Sequence, residues 1–506
     1  MTPPNQIPNE THAIQGGQVA RGATLMVAFK LLDRSIGLVS TLILARILTP
    51  ADFGLVAMAT AVVAFTQLMG AFGFETALIQ RQDAQRHHYD TAWTFNALFG
   101  LAIGITLCFL ANPMAAFYRE PRLAMMLPVL ALGALVGGFE NVGTVAFRKN
   151  LDFGKEFRYL LTKRISAFVV TVSSALIFRT YWALIAGMVT GTVASVLISY
   201  LLHPYRPRFS LMAKADLMHF SKWLFISNLI QFLHSRSTDF ILGRTIGSHG
   251  LGVYNIGVEI AAMPSTELIA PLNRAVYPVY SRLANAREML WEQFAEVFGM
   301  IGLLAVPVSF GLVCVADAAV RVLLGEQWLE SIPIIRIAAV SGLASALQGN
   351  LYLVILALGQ PKANTLLSGT LLVISLPIVV VASLHYGAFG AACAHFGASL
   401  LGLVGISFVF SRITGISLIQ LAALLWRPFV AASFMAASVQ FLDTLLTDIP
   451  SFFRLFVLIS VGALCYIFVV IVFWLVSGRP DGAEKSILDK TSSKLLVWKQ
   501  ALFRLI

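Results

Sequence analysis

Fourteen stretches of this chain run apolar for about 18 residues or more, the length that suits a membrane span. They lie at 23–44, 53–73, 91–111, 123–143, 160–178, 182–202, 223–243, 252–271, 297–316, 332–357, 364–384, 387–410, 424–442 and 453–476. Strands of a membrane barrel would instead be about 10 residues long and alternate in polarity. The pattern predicts an all-α polytopic membrane protein with about 14 transmembrane helices. Composition agrees, because 58% of the 506 residues are apolar and only 12% are charged, whereas a soluble domain carries about 25% charge. Too little polar sequence is left over for a sizeable soluble domain.

The net charge of +11 does not require a nucleic-acid partner, and none is expected. With the N-terminus in the cytoplasm, 25 Lys and Arg fall in cytoplasmic loops and tails, seven on the opposite side and four within spans. That asymmetry is a strong positive-inside signal, so both termini are expected in the cytoplasm. The polar segment 1–22 lacks the basic start of a signal peptide and reads as a tail. Segment 477–506 reads as a basic amphipathic helix on the inner leaflet, with Leu488, Leu495, Trp498, Leu502 and Ile506 at helical spacing. Cys108, Cys314, Cys393 and Cys465 lie in apolar runs without CxxC spacing. They read as small core residues rather than a disulfide or metal set.

An internal repeat sets the domain plan. Leu44-Ala45-Arg46-Ile47-Leu48-Thr49-Pro50-Ala51-Asp52-Phe53-Gly54-Leu55 aligns with Leu242-Gly243-Arg244-Thr245-Ile246-Gly247-Ser248-His249-Gly250-Leu251-Gly252-Val253 at an offset of 198. In each copy a helix is expected to end at Arg46 or Arg244, with a turn of six or seven residues before Gly54 or Gly252 opens the next helix. Six spans separate the copies. The repeats are therefore parallel, as in transporters whose two lobes enclose a central path. The expected division is an N-lobe of spans 1–6 at 23–202, an inter-lobe linker at 203–222, a C-lobe of spans 7–12 at 223–410, and spans 13 and 14 within 411–476. Two six-helix lobes would surround a central cavity.

The ionisable residues left inside spans are the candidates for function. Lys30, Asp33 and Arg34 sit three and four apart on one face of span 1. A charge facing lipid costs at least about 2.5–3.5 kcal/mol, so this face is expected to look into protein or a water-filled cavity. Asp33 would neutralise one of its cations; a structural salt bridge between helices is the alternative. Span 7 places Asn228, Gln231, His234, Arg236 and Asp239 at the repeat-related position. Arg236 and Asp239 are spaced to pair, and His234 serves either as a proton-responsive group or as a simple hydrogen-bond partner. Arg336 lies near the outer end of the tenth run, where it either snorkels outward or lines the outer mouth. Gln67, Glu140, Asn141, Asn255, Glu259, Gln348 and Asn350 are further in-membrane polar groups, of a kind that often only joins helices.

No GxSxG, HExxH or GxxxxGK[ST] motif is present, and the outer loops are short, so transport is expected rather than catalysis. The Leu44–Leu55 hairpin resembles that of Wzx-type polysaccharide flippases in the multidrug/oligosaccharidyl-lipid/polysaccharide exporter superfamily. The same resemblance extends to Asp239-Phe240-Ile241-Leu242-Gly243-Arg244 with Gly252-Val253-Tyr254, Tyr277-Pro278-Val279-Tyr280-Ser281-Arg282-Leu283, Leu323-Leu324-Gly325-Glu326-Gln327-Trp328 and Leu358-Gly359-Gln360-Pro361-Lys362. It covers about residues 18–415 and looks closest to the colanic-acid and exopolysaccharide type.

The resemblance implies a bacterial inner-membrane protein that moves undecaprenyl-diphosphate-linked oligosaccharide from the inner to the outer leaflet by alternating access. Such a protein would have no bound cofactor, would be coupled to an H+ or Na+ gradient, and would work beside a polysaccharide polymerase and chain-length or export proteins. Lys30, Arg34 and Arg236 would then meet a diphosphate or a uronic-acid carboxylate. The alternatives are a cation-coupled multidrug exporter of the same superfamily and, remotely, a membrane-embedded polymerase or acyltransferase.

Overall fold

The computed structural model describes residues 10–70, 73–81, 83–446, 449–479 and 482–485. Among them every regular element is helical: α1 Glu10–Ile47, α2 Pro50–Gln67, α3 Phe74–Gln80, α4 Arg86–Tyr118, α5 Leu123–Gly138, α6 Val145–Lys149, α7 Phe153–Phe178, α8 Trp182–Leu202, α9 Lys214–Pro264, α10 Ala270–Leu283, α11 Arg287–Leu323, α12 Ile332–Ala357, α13 Pro361–Thr414, α14 Leu418–Leu445 and α15 Ser451–Val476. Nine described helices are long and apolar enough to cross a bilayer, or ten if the pair bent by 62° at Phe139–Asn141 forms one span. Two of the longest helices are broken by a single glycine. Gly247 (φ 73°) interrupts α9 and Gly387 (φ 62°) interrupts α13, each in a conformation that a side chain would strain. The chain is a multi-pass helical membrane protein. The predicted helix at 477–506 lies mostly outside the described residues.

The chain forms two compact units, Met1–Gly252 and Val253–Ile506. In the first, α4 packs on α5, α7 on α8, and α1 on α7. Glycines set the closest approaches. A Cβ on Gly100 would lie 2.7 Å from the Gly138 Cα, so α4 and α5 touch backbone to backbone, as small residues permit between membrane helices. Residues 203–213 form an extended strap with Pro204 and Pro207, docked on the start of α4. Its amides donate to α4 side chains: Arg208 to the buried Asp90 (3.0 Å), Ser210 to Thr94 (3.0 Å) and Ala213 to Thr91 (3.2 Å). Tyr205 adds its hydroxyl to Asp90, and Phe209 meets Trp93 edge to face.

The second unit is built around α11, which packs on α12, α14 and α15. Phe294, Phe298 and Phe410 are stacked in its core. An apolar groove of about 620 Å³ runs beside Pro307, Met435, Gly462, Tyr466 and Trp474. At its end Glu484 pairs with Arg427 at 2.9 Å, with both side chains largely buried.

The repeat-related hairpins are tighter than the sequence spacing implied. Only Leu48 and Thr49 separate α1 from α2, and Gly54 lies inside α2 rather than opening it. The reason is local: Pro50 occupies the first helical turn, and Thr49 and Asp52 form a reciprocal capping box. The second copy is tighter still, broken only at Gly247 with Gly252 inside the same helix.

The hairpins also touch each other with the symmetry of the repeat. A Cβ on Gly54 would meet the Ser248 carbonyl oxygen at 1.7 Å, and one on Gly252 would meet that of Pro50 at 1.8 Å. Pro50 and Ser248 are themselves repeat-related, so the contact is two-fold. The Glu120–Arg122 pair secures it (2.8 Å), since Glu120 also accepts from the Ser248 hydroxyl at 3.2 Å. The Arg122 guanidinium holds the Glu120 carboxyl below its usual range. Of the cysteines, Cys108 and Cys393 are exposed and all four are free. That corrects the core assignment, because the lipid-facing side of a membrane helix is as apolar as its core side.

Candidate functional site

α1 and α7 run parallel through the first unit. Gly22 abuts Phe153, Phe29 lies 6.3 Å from Phe157, and Leu44 and Leu48 cluster with Ala175 near the other end. This register brings Asp33 against Arg164, with a 2.9 Å ion pair and a second guanidinium bond to the Asp33 carbonyl at 3.4 Å. Asp33 therefore does not chiefly neutralise Lys30 or Arg34 on its own helix. It ties α1 to α7, the structural bridge that span 1 alone could not distinguish. Both side chains of the pair are about two-fifths exposed (44% and 39%), so the pair contributes at most about 1 kcal/mol.

What remains is positive. Lys30 is exposed and has no ion-pair partner among the described residues, Arg34 is half-buried beside it, and Lys163 precedes Arg164 on α7. Residues 30–34 of α1 and 163–164 of α7 thus carry four cations and one carboxylate, with Glu75 also within electrostatic reach of Lys163. Lys163 and Arg164 were hidden in the sequence reading because they stand at the start of an apolar run and count there as cytoplasmic anchors.

The α9 candidates stand as follows. Arg236 pairs with the nearly buried Asp239 at 3.1 Å, as their spacing predicted. Asn228 is exposed on the same helix. The side chains of Gln231 and His234 lie outside the described residues. Arg336 belongs to the second unit, is exposed, and donates to the Val313 carbonyl at 3.2 Å. Of the hairpin residues, Arg46 is exposed, Arg244 stacks over the Phe117 ring at 6.0 Å, and Gly54 and Gly252 make the close approach described above.

A second polar site in the first unit is a cavity of about 490 Å³ bounded by α2, α4, α5 and α8. Gln67, Glu75, Asn96, Glu140 and Thr192 face it, with Phe99 on its wall. Glu140 accepts from the Ser195 hydroxyl at 2.9 Å and from the Tyr159 hydroxyl of α7. Gly133, Gly137 and Gly138 supply part of the lining. The sequence listed Gln67 and Glu140 among in-membrane polar groups without a role and passed over Asn96.

Similarity to known proteins points the same way. Residues 43–333 match the family model described as "Polysaccharide biosynthesis protein". The lipopolysaccharide biosynthesis protein WzxC of Escherichia coli strain K12 is 24% identical over 399 residues, covering 78% of this chain and 81% of that protein. The teichuronic acid biosynthesis protein TuaB of Bacillus subtilis strain 168 is 26% identical over 440 residues, covering 80% and 86%. In fold the chain resembles the lipid II flippase MurJ in an inward closed conformation, with a TM-score of 0.69 at 12% identity over 90% of this chain and all of that one. An inward-facing multidrug resistance transporter of the MATE family gives 0.58 at 15% identity, covering 76% and 96%. With more than half of its length inside the family model, this chain is a member of the polysaccharide biosynthesis protein family.

Proposed function

We propose that this protein is a flippase for undecaprenyl-diphosphate-linked oligosaccharide repeat units, carrying them from the inner to the outer leaflet for exopolysaccharide or lipopolysaccharide biosynthesis. The observation that carries the reading is the cluster of cations where α1 meets α7: Lys30 and Arg34 beside the Asp33–Arg164 pair. A cation such as Lys30, with no ion-pair partner among the described residues, is costly inside a bilayer unless an anion visits it, and a diphosphate is such an anion. The apolar groove of the second unit suits a prenyl chain in the same way. In this reading the protein lies in a bacterial inner membrane with both termini in the cytoplasm. It works by alternating access around a central path, draws on an H+ or Na+ gradient, and hands its cargo to a polymerase and chain-length or export proteins without itself catalysing a reaction.

Deleting the gene should abolish the surface polysaccharide and leave lipid-linked repeats accumulating on the cytoplasmic face. Unchanged polysaccharide, with no accumulation, would refute the proposal. The carboxylates Glu75 and Glu140 in the cavity favour a second reading, a cation-coupled drug exporter. That reading requires deletion to change susceptibility across a panel of cationic drugs.

A further inference from the structure

The geometry points to the cavity of the first unit as a sugar-binding subsite, selective for an uncharged sugar residue of the cargo. This inference rests on the flippase reading and specifies what one part of the cargo must be.

Three observations carry it. The first is the unspent hydrogen-bonding capacity of the lining. No described residue bonds the carboxamides of Gln67 and Asn96, and each offers both a donor and an acceptor. Sugar hydroxyls need that mixture, whereas a metal or organic cation needs acceptors alone. The second is the state of the two carboxylates. Glu140 is held by the Ser195 and Tyr159 hydroxyls, while Glu75 has Arg148 at 3.8 Å and Lys163 within electrostatic reach. Their negative charge repels an anionic guest, while the Ser195 and Tyr159 hydroxyls occupy the Glu140 oxygens that a metal cation would need as ligands. The third is size and wall. About 490 Å³ lies within the range of about 300–1,000 Å³ for small-molecule sites, and the Phe99 ring gives an apolar surface for the C–H face of a pyranose.

Position links the cavity to the cationic stripe. α7 is the shared element: Tyr159 reaches Glu140 beside the cavity, and Arg164 reaches Asp33 on the stripe. Five residues of helix separate them by about 7.5 Å along the axis. They are also turned by about 140° around the helix, so the cavity and the Asp33–Arg164 pair flank α7 on different sides.

The test uses the full chain in lipid nanodiscs and saturation-transfer NMR with two soluble probes, methyl β-glucoside and methyl β-glucuronide. The neutral glycoside should receive saturation and the anionic one should respond about fivefold less. Asn96→Leu and Gln67→Leu should each weaken the neutral signal about three- to tenfold, and Glu140→Gln should narrow the gap between probes. Equal signals for the two probes on the unaltered protein overturn the proposal, whatever the variants do. So does a neutral signal that survives both leucine variants. Sodium-23 relaxation that the protein enhances and Glu140→Gln abolishes, without glycoside binding, would make the cavity a cation site instead. A chain that supports export but binds no glycoside loses this inference alone. One that binds glycoside although gene deletion leaves the polysaccharide intact loses the flippase reading.

Discussion

Replacing Gly54 by alanine probes the contact between the repeat-related hairpins directly. The new methyl would stand 1.7 Å from the Ser248 carbonyl oxygen and 2.8 Å from the Gly252 amide nitrogen. A carbon and a carbonyl oxygen in contact settle at about 3.3–3.6 Å, so the hairpins must separate by roughly 1.6 Å, and no side-chain rotation can absorb it because both obstructing groups are backbone. Overpacking of this kind costs about 1–3 kcal/mol, which multiplies the ratio of separated to closed hairpins about 5- to 150-fold.

The assay places Ser248→Cys in a chain whose four native cysteines are alanine and follows its reaction with a water-soluble maleimide in detergent. Gly54→Ala should accelerate labelling by the same factor. Gly252→Ala should act alike, since it meets Pro50 at 1.8 Å. The double variant should gain little over either single one, because one separation relieves both clashes. Labelling rates that match the parent in both single variants would show that the hairpins are not packed backbone to backbone. Fully additive effects would refute the shared contact.

Other expectations follow from the same structure. Lys30→Ala with Arg34→Ala should reduce polysaccharide export at least tenfold while leaving the protein's membrane level unchanged on an immunoblot; full export would remove these cations from the mechanism. Asp33→Asn should lower unfolding stability by no more than about 1 kcal/mol, given its half-exposed pair, as read by urea titration in micelles. Glu484→Ala should be more damaging, by about 3–5 kcal/mol, because it strands Arg427 among apolar helices; a paired Arg427→Met and Glu484→Met change should recover most of that loss. Glu120 supplies a pH signature. Its carboxyl is held below the usual 4.5 by Arg122, so its contribution is complete above that value and disappears as pH falls through the lowered one. Glu120→Gln should flatten this acid limb in thermal scans, and an unchanged limb would assign it to other carboxylates.

The membrane fold was legible because apolar runs of spanning length have few alternatives. The boundaries near 384–387 also came out well, since Gly387 interrupts an otherwise continuous apolar stretch. The hairpin at 46–54 did not. Hydropathy places the start of α2 at Phe53, while Thr49, Pro50 and Asp52 start it at Pro50 through capping chemistry that no hydropathy average registers. At the site, Lys30 and Arg34 were visible as charges out of place. The partner of Asp33 was not, because Arg164 lies 131 residues away and nothing local announces the α1–α7 register. Asn96 was invisible for a different reason. A neutral polar residue in a span usually bonds a neighbouring helix, and only the cavity in front of it shows that this one does not.

The strap at 203–213 bears on how relatives of this chain can be recombined. A segment joining two transmembrane sets invites use as a crossover point, yet here its backbone amides are accepted by Asp90, Thr91 and Thr94 of α4. A chimera cut at residue 203 would pair a foreign strap with a native helix start; any non-proline residue can still supply the amides, but without a tyrosine at 205 the buried Asp90 carboxylate loses its hydroxyl donor. Crossovers within α9, beyond Lys214, keep strap and helix from one parent. Hybrids built that way should be the ones that accumulate in the membrane and can be used to map which half selects the sugar.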